Sequence, residues 1–123
     1  MIKESGENYL ETILLLSERN DIVRSIDVAT ELGFSKPSVS RAMGILRDEG
    51  YIKIEETGHI YLTEKGKARA ANVLARHNLF NDFLHKILGV DKEVAAEDAC
   101  KLEHALSEES FSKMQDWMAS QIC

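Results

Sequence analysis

The sequence predicts a mainly α protein, built as an N-terminal winged helix-turn-helix with a two-stranded wing and a second, helical domain behind it. Three observations predict this. Residues 25–49, SIDVATELGFSKPSVSRAMGILRDE, read as two short helices around a tight turn. Directly after them Ile52 and Ile54 alternate with Lys53 and Glu55, Thr57-Gly58 supplies a turn, and residues 59–62 give a return strand. From residue 64 onward apolar residues recur at helical spacing without a proline.

Size and composition bound what such a chain can be. At 123 residues, 44% of them hydrophobic, it forms one compact unit or two very small ones and can bury a core. The pattern predicts two parts, a winged helix-turn-helix over residues 1–66 and a helical domain over 67–123. Residues 1–7 hold no signal-peptide segment, and no apolar run approaches the ~18 residues of a membrane span, so a cytoplasmic protein without a membrane partner is expected. Cys100 and Cys123 are too few for a disulfide framework and read as free thiols or metal ligands.

Taken in order, residues 7–20 form an amphipathic helix on Tyr9, Leu10, Ile13, Leu14 and Leu16, closed by Asn20 and Asp21, with Asn8, Glu11 and Leu15 on another face. Ser25 is the expected cap of the next helix, whose inner face holds Ala29 and Leu32. Gly33 suits the turn, and Val39 fills the wedge between the two helices. Ser35 caps the second helix, Pro37 is tolerated in its first turn, and Val39, Met43 and Leu46 form its buried stripe. Its opposite face shows Lys36, Ser38, Ser40, Arg41 and Arg47, with no acid between residues 35 and 47.

An acid-free helical face behind a Ser cap reads as a double-stranded DNA interface. The candidates are Ser35, Lys36, Pro37, Ser38, Ser40, Arg41 and Arg47, joined by Thr57 and His59 of the wing. Arg41 and Ser38 are expected at base edges; Ser35, Lys36, Ser40 and the wing are expected at phosphates. The net charge of −6 opposes phosphate binding only as an average. Residues 23–67 hold seven Lys/Arg against seven Asp/Glu, and the flanks carry the whole excess, eight against fourteen.

Thr63 is the expected cap of a long helix over 64–88, patterned on Ala70, Val73, Leu74, Phe80, Phe83, Leu84 and Ile87 and ended by Gly89. Asp91 caps a helix over 92–106 and Ser107 a last one over 108–122. In that last helix Phe111, Met114, Trp117 and Met118 form a stripe that closes the core and a homodimer interface together.

A second chemistry lies in the segment Cys100-Lys101-Leu102-Glu103-His104. It sets a thiol, a carboxylate and an imidazole at i, i+3 and i+4 of one helix face, three ligand types for a divalent transition metal. His77, on the preceding long helix, can complete the site. His85 reads instead as a hydrogen-bonded core histidine.

With a winged helix, Tyr-Leu-Glu-Thr-Ile at 9–13, Leu-Thr-Glu-Lys-Gly at 62–66, Arg76-His77, and Cys100 to His104 followed by Leu106-Ser107, the chain resembles the diphtheria toxin repressor family of metal-dependent transcriptional regulators. The resemblance covers essentially the whole chain. It implies a homodimer that binds operator DNA with Mn(II) or Fe(II) and represses metal-uptake genes. It also implies metal positions at Asn8, Glu11, His77, Cys100, Glu103 and His104, with no small-molecule substrate. The manganese branch has Asp and Glu in place of Asn8 and Cys100, the iron branch Met and Cys. Asn81 and Ala96 stand where the iron branch has a Glu and a His of its ancillary site. On length, the chain is expected to lack the SH3-like third domain of the iron branch and to have the additional C-terminal helix of the manganese branch absent or trimmed. A thiolate favours Fe(II), Co(II), Ni(II) or Zn(II), whereas Glu11 and the Asn8 amide suit harder ions. The expected effector is Fe(II) or Mn(II). Two other readings remain open on the residues: a metal-independent winged-helix regulator with a decayed site, and a thiol enzyme using Cys100 and His104.

Overall fold

The computed structural model describes residues 4–122, so Cys123 lies outside the described residues. The element order is α1 (Glu4–Arg19), α2 (Ser25–Leu32), α3 (Lys36–Asp48), β1 (Ile52–Ile54), β2 (Ile60–Leu62), α4 (Glu64–Asp82), α5 (Lys92–Leu102) and α6 (Glu108–Ile122). The chain divides into two compact units, Met1–Ala71 and Asn72–Cys123.

The first unit is the winged helix-turn-helix. Leu10 and Ile13 of α1, Val28 of α2, Val39 and Met43 of α3, and Ile52 and Ile60 of the wing are all buried in one core. The helix-turn-helix closes at Gly33, whose φ of 71° is one that Gly adopts without a Cβ penalty and whose N–H donates to Ala29 O. Ser35 caps α3 by accepting from the Ser38 N–H at 3.4 Å. Ser25 is not the cap of α2. The chain is still extended at Arg24, because Val23 O accepts from the Ile60 N–H at 2.8 Å and holds the strand-like path one residue further. Arg24 therefore becomes the cap position, and its N–H donates to Asp27 Oδ2 at 2.8 Å.

β1 and β2 pair antiparallel with Ile52 opposite Leu62 and Ile54 opposite Ile60. Thr63 then serves two elements at once. Its Oγ1 accepts from the Gly66 N–H at 3.1 Å, capping α4, and donates to Gly50 O at 2.7 Å. Arg69 of α4 pairs with Glu7 of α1 at 2.7 Å, an ion pair that is largely shielded from water.

In the second unit, Leu79 and Phe80 of α4, Ala99 of α5 and Phe111 of α6 form the core, with Met114 and Met118 packed on it. Phe111 is thus an interior residue rather than part of an open stripe, while Trp117 keeps 48% of its surface exposed. The long helix changes character before its end. At Phe83–Ile87 it widens into a π turn, the Leu88 N–H reaching back to Phe83 O. Ile87 is rotated outward to 45% exposure, off the stripe that a continuous 3.6-residue period predicts. His85 is exposed rather than a core residue, with Nδ1 2.8 Å from Val90 O. Asp91 caps α5 through the Glu93 N–H at 3.1 Å, and Ser107 caps α6 through the Ser110 N–H at 3.1 Å.

The helix expected over 92–106 ends at Leu102. Glu103 N–H still bonds Ala99 O, but Ala105 N–H goes to Leu102 O and the chain turns. No local stop signal stands there; the carbonyls of the turn are taken by Arg76 of α4.

Candidate metal centre and nucleic-acid interface

α5 presents its site because its inner face is small. Ala95 and Ala99 are fully buried, so the helix lies close to its neighbours and the residues at Cys100 and Glu103 stand at the edge of the packed face. Glu103, only 1% exposed, is the unusual member. A carboxylate is costly to bury unless each oxygen finds a partner. Here one oxygen, Oε2, lies 2.9 Å from His77 Nδ1, and the other, Oε1, lies 3.2 Å from His104 Nε2.

Cys100 Sγ is 3.7 Å from the same His77 Nδ1, and the thiol is exposed at the mouth of the cluster. His77, Cys100 and Glu103 thus offer a nitrogen, a sulfur and an oxygen within 4.8 Å of one another. A first-row cation with bonds of about 2.0–2.3 Å holds its donors about 3 to 3.7 Å apart, so this set fits one with a closure of about 1 Å. The Nδ1 that faces both partners must give up any proton before it can ligate, as must the thiol, so metal and protons compete for the site.

Of the six expected metal positions, three are gathered in this cluster. His104 follows the end of α5 and lies against Glu103, its Nε2 3.2 Å from Oε1, with 4% of its side chain exposed. Asn8 and Glu11 lie one turn apart on α1, both half-buried, in the first unit. An imidazole beside the thiol is that of His77, which is already engaged by Glu103.

On the first unit, Lys36, Ser38, Ser40, Arg41 and Arg47 of α3 are all exposed on the side opposite Val39, Met43 and Leu46. Lys36 and Arg41 have no hydrogen bond or ion pair among the described residues, so their charge is available to a polyanion. Arg47 pairs with Asp48 at 3.3 Å, and Ser38 Oγ accepts from Ser35 Oγ at 2.8 Å, which ties both partly to their own helix. Thr57 is exposed at the wing tip. His59 is drawn back from it, with 15% of its side chain exposed. Its ring lies against Tyr61 at 3.9 Å between centroids, and its Nδ1 is 3.8 Å from Glu55. Desolvation raises the Tyr61 pKa above its ordinary value, and the bond its hydroxyl donates to Glu55 and the Glu55 charge add to the shift.

No local motif assigns a role to Arg24, whose Nε donates to Thr57 O at 3.2 Å and braces the wing turn against the start of α2. Only the hairpin pairing, 33 residues away, makes that contact.

The chain has relatives in both halves. Residues 1–60 match the N-terminal DNA-binding domain of iron-dependent repressors, and residues 63–120 match the metal-binding and dimerisation domain of the same repressors. An uncharacterised HTH-type transcriptional regulator of Methanocaldococcus jannaschii is 36% identical over 118 residues, 95% of this chain and 94% of that protein. The iron-dependent repressor IdeR of Mycobacterium tuberculosis is 32% identical over 86% of this chain and 46% of its own length. A manganese-dependent transcriptional repressor solved in complex with manganese superposes with a TM-score of 0.82 at 26% identity, covering 93% of this chain and 52% of that one. The chain therefore spans about half the length of these last two metal-dependent relatives. Matches to both halves of one repressor architecture, and a relative that is 36% identical along nearly the whole chain, make this protein a member of the diphtheria toxin repressor family of metal-dependent transcriptional regulators.

Proposed function

We propose that the protein is a repressor that binds operator DNA when it holds a divalent metal, senses Fe(II) or Mn(II), and controls metal-uptake genes. The observation that carries this is the convergence of His77 Nδ1, Cys100 Sγ and the Glu103 carboxylate within 4.8 Å, on a helical unit that follows a winged helix. His77, Cys100 and Glu103 are the proposed ligands, and His104 steadies Glu103 or joins them. The resemblance adds Asn8 and Glu11, and alanine variants of these two test whether the first unit contributes to metal binding. When bound, the metal would supply positive charge beside the buried Glu103 carboxylate and fix the ligands' side chains. The thiolate favours Fe(II), Co(II), Ni(II) and Zn(II) over Mn(II), and the carboxylate accepts all of them.

Operator binding by the purified protein, measured against Mn(II), Fe(II), Co(II), Ni(II) and Zn(II) with a metal-free control, tests the reading. Binding equal in all six samples would leave a metal-independent regulator. Residues 1–66 are proposed as the DNA-binding domain and 67–123 as the metal-binding and dimerisation domain, in a cytoplasmic homodimer. Dimerisation should not need metal. Sedimentation at micromolar concentration should give the dimer with and without chelator, and a folded monomer would refute it.

Arg41 and Ser38 are proposed at base edges; Ser35, Lys36, Pro37, Ser40, Arg47, Thr57 and His59 are proposed at or beside phosphates. Arg41→Ala should cost about 1 to 3 kcal/mol and relax operator preference, whereas Lys36→Ala should weaken all sequences alike and lower the salt slope by about one. A competition series over operator variants at several salt concentrations reads both effects. Unchanged preference in Arg41→Ala would mean that another face of α3 reads the bases.

A further inference from the structure

Arg76 is 8% exposed and spends every polar nitrogen of its guanidinium inside the second unit. Nε donates to Asn72 Oδ1 at 3.1 Å, one turn back on α4. Nη1 donates to Leu106 O and, at 3.5 Å, to Glu103 O. Nη2 donates to Glu108 Oε2 at 2.9 Å, at the start of α6, and the plane lies 5.0 Å over the Phe111 ring. The turn after α5 owes its shape to these bonds, since its carbonyls have lost their helical partners.

We propose that Arg76 is a positioning residue of the metal centre, one that fixes the Glu103 carboxylate by clamping the backbone on which it stands. Adjacent residues of α4 grip the two ends of Glu103: Arg76 takes its carbonyl, and His77 Nδ1 faces its carboxylate. Without the clamp the turn from Glu103 to Leu106 is free to rewind or fray, and the carboxylate loses its fixed distance to His77. A lysine cannot replace the clamp, because one ammonium is a single point and cannot serve partners on α4, on the turn and on α6 in one plane. Glu108 is the outer half of the device. Its side chain is 70% exposed, so it can be altered without opening the core.

This inference rests on the metal-sensing reading, and Co(II) titration of the whole protein separates the two. Co(II) bound to a thiolate gives a near-ultraviolet charge-transfer band, which reports Cys100 directly, and visible d–d bands that report coordination. The wild type should show both. Arg76→Lys should bind Co(II) about 10- to 100-fold more weakly, the usual effect of removing a group that orients a ligand, with helix content retained by circular dichroism. Glu108→Gln should weaken it in the same direction by a smaller factor, and it decides the matter if Arg76→Lys does not fold. Met118→Ala, which loosens the same core without touching the turn, should lower the melting temperature and leave the Co(II) affinity as in the wild type. Affinities within twofold of wild type in both Arg76→Lys and Glu108→Gln would overturn the proposal. So would a loss in Met118→Ala as large as that in Arg76→Lys, since Arg76 would then be only structural. A wild type without either set of bands would overturn the metal reading itself, and the inference with it.

Discussion

Alanine at Glu103 is expected to abolish metal-stimulated DNA binding while leaving the winged helix folded and its weak, sequence-independent binding in place. The carboxylate lies between His77 Nδ1 at 2.9 Å and His104 Nε2 at 3.2 Å and is almost fully buried. Its removal deletes the oxygen donor and also the group that holds the His77 ring in place. Loss of a ligand and its orienting bond together should weaken metal binding by more than the about 10- to 100-fold that an outer partner costs. His77→Ala should act alike, because its Nδ1 is close to both the thiol and the carboxylate. Cys100→Glu exchanges a soft donor for a hard one and should shift preference toward Mn(II). In the wild type, metal affinity should rise with pH, because protons compete with the metal for the thiol and imidazole donors. DNA binding against metal concentration, at several pH values, reads all of these. Equal metal response in Glu103→Ala and His77→Ala would place the site elsewhere.

Gly66→Ala is expected to be the most damaging single methyl group in the first unit. A Cβ at this position would stand 2.0 Å from Tyr51 O and 3.3 Å from a Leu62 methyl, and the nearer neighbour is backbone. That carbonyl cannot swing aside, because it accepts from the Thr63 N–H at 3.0 Å and from Thr63 Oγ1 at 3.1 Å. The first turn of α4 must therefore lift off the wing. Overpacking of this kind costs about 1 to 3 kcal/mol when side chains can give, and here they cannot, so a loss of about 3 kcal/mol or more is expected. Gly44→Ala is the internal control. Its nearest neighbour is the mobile end of Arg47 at 3.8 Å, and Ala in a helix interior gains up to about 1 kcal/mol over Gly. Thermal melting of the two variants should move in opposite directions. A Gly66→Ala protein that melts with the wild type would show that the wing and α4 do not pack as described.

What could be read without coordinates was what neighbours in the chain decide. Ser35, Thr63, Asp91 and Ser107 cap helices because a side-chain oxygen two or three residues before a free N–H needs nothing else to reach it. The helix-turn-helix and its hairpin follow from Gly33, from the Val39 stripe and from the alternation of Ile52 and Ile54, all within reach of one or two turns of chain. The pairing of Cys100 with Glu103 was legible for the same reason, as a spacing of three on a helix. His77 entered as a candidate, but its distance to Glu103 lies across 26 residues and is set by how α4 and α5 pack.

Tertiary structure decided the rest. Where α2 begins depends on Val23 pairing with Ile60, so Ser25 lost the cap to Arg24. Where α5 ends depends on Arg76 offering its guanidinium to the carbonyls of Glu103 and Leu106, 27 and 30 residues away, so Glu103 and His104 lie past the helix that their spacing assumed. The π turn at Phe83–Ile87 and the burial of Phe111 beneath Arg76 are of the same kind. Sequence periodicity fixes which residues can face one another within an element. Only the packing of one element on another supplies the donors that end a helix and the partners that allow a carboxylate such as Glu103 to be buried.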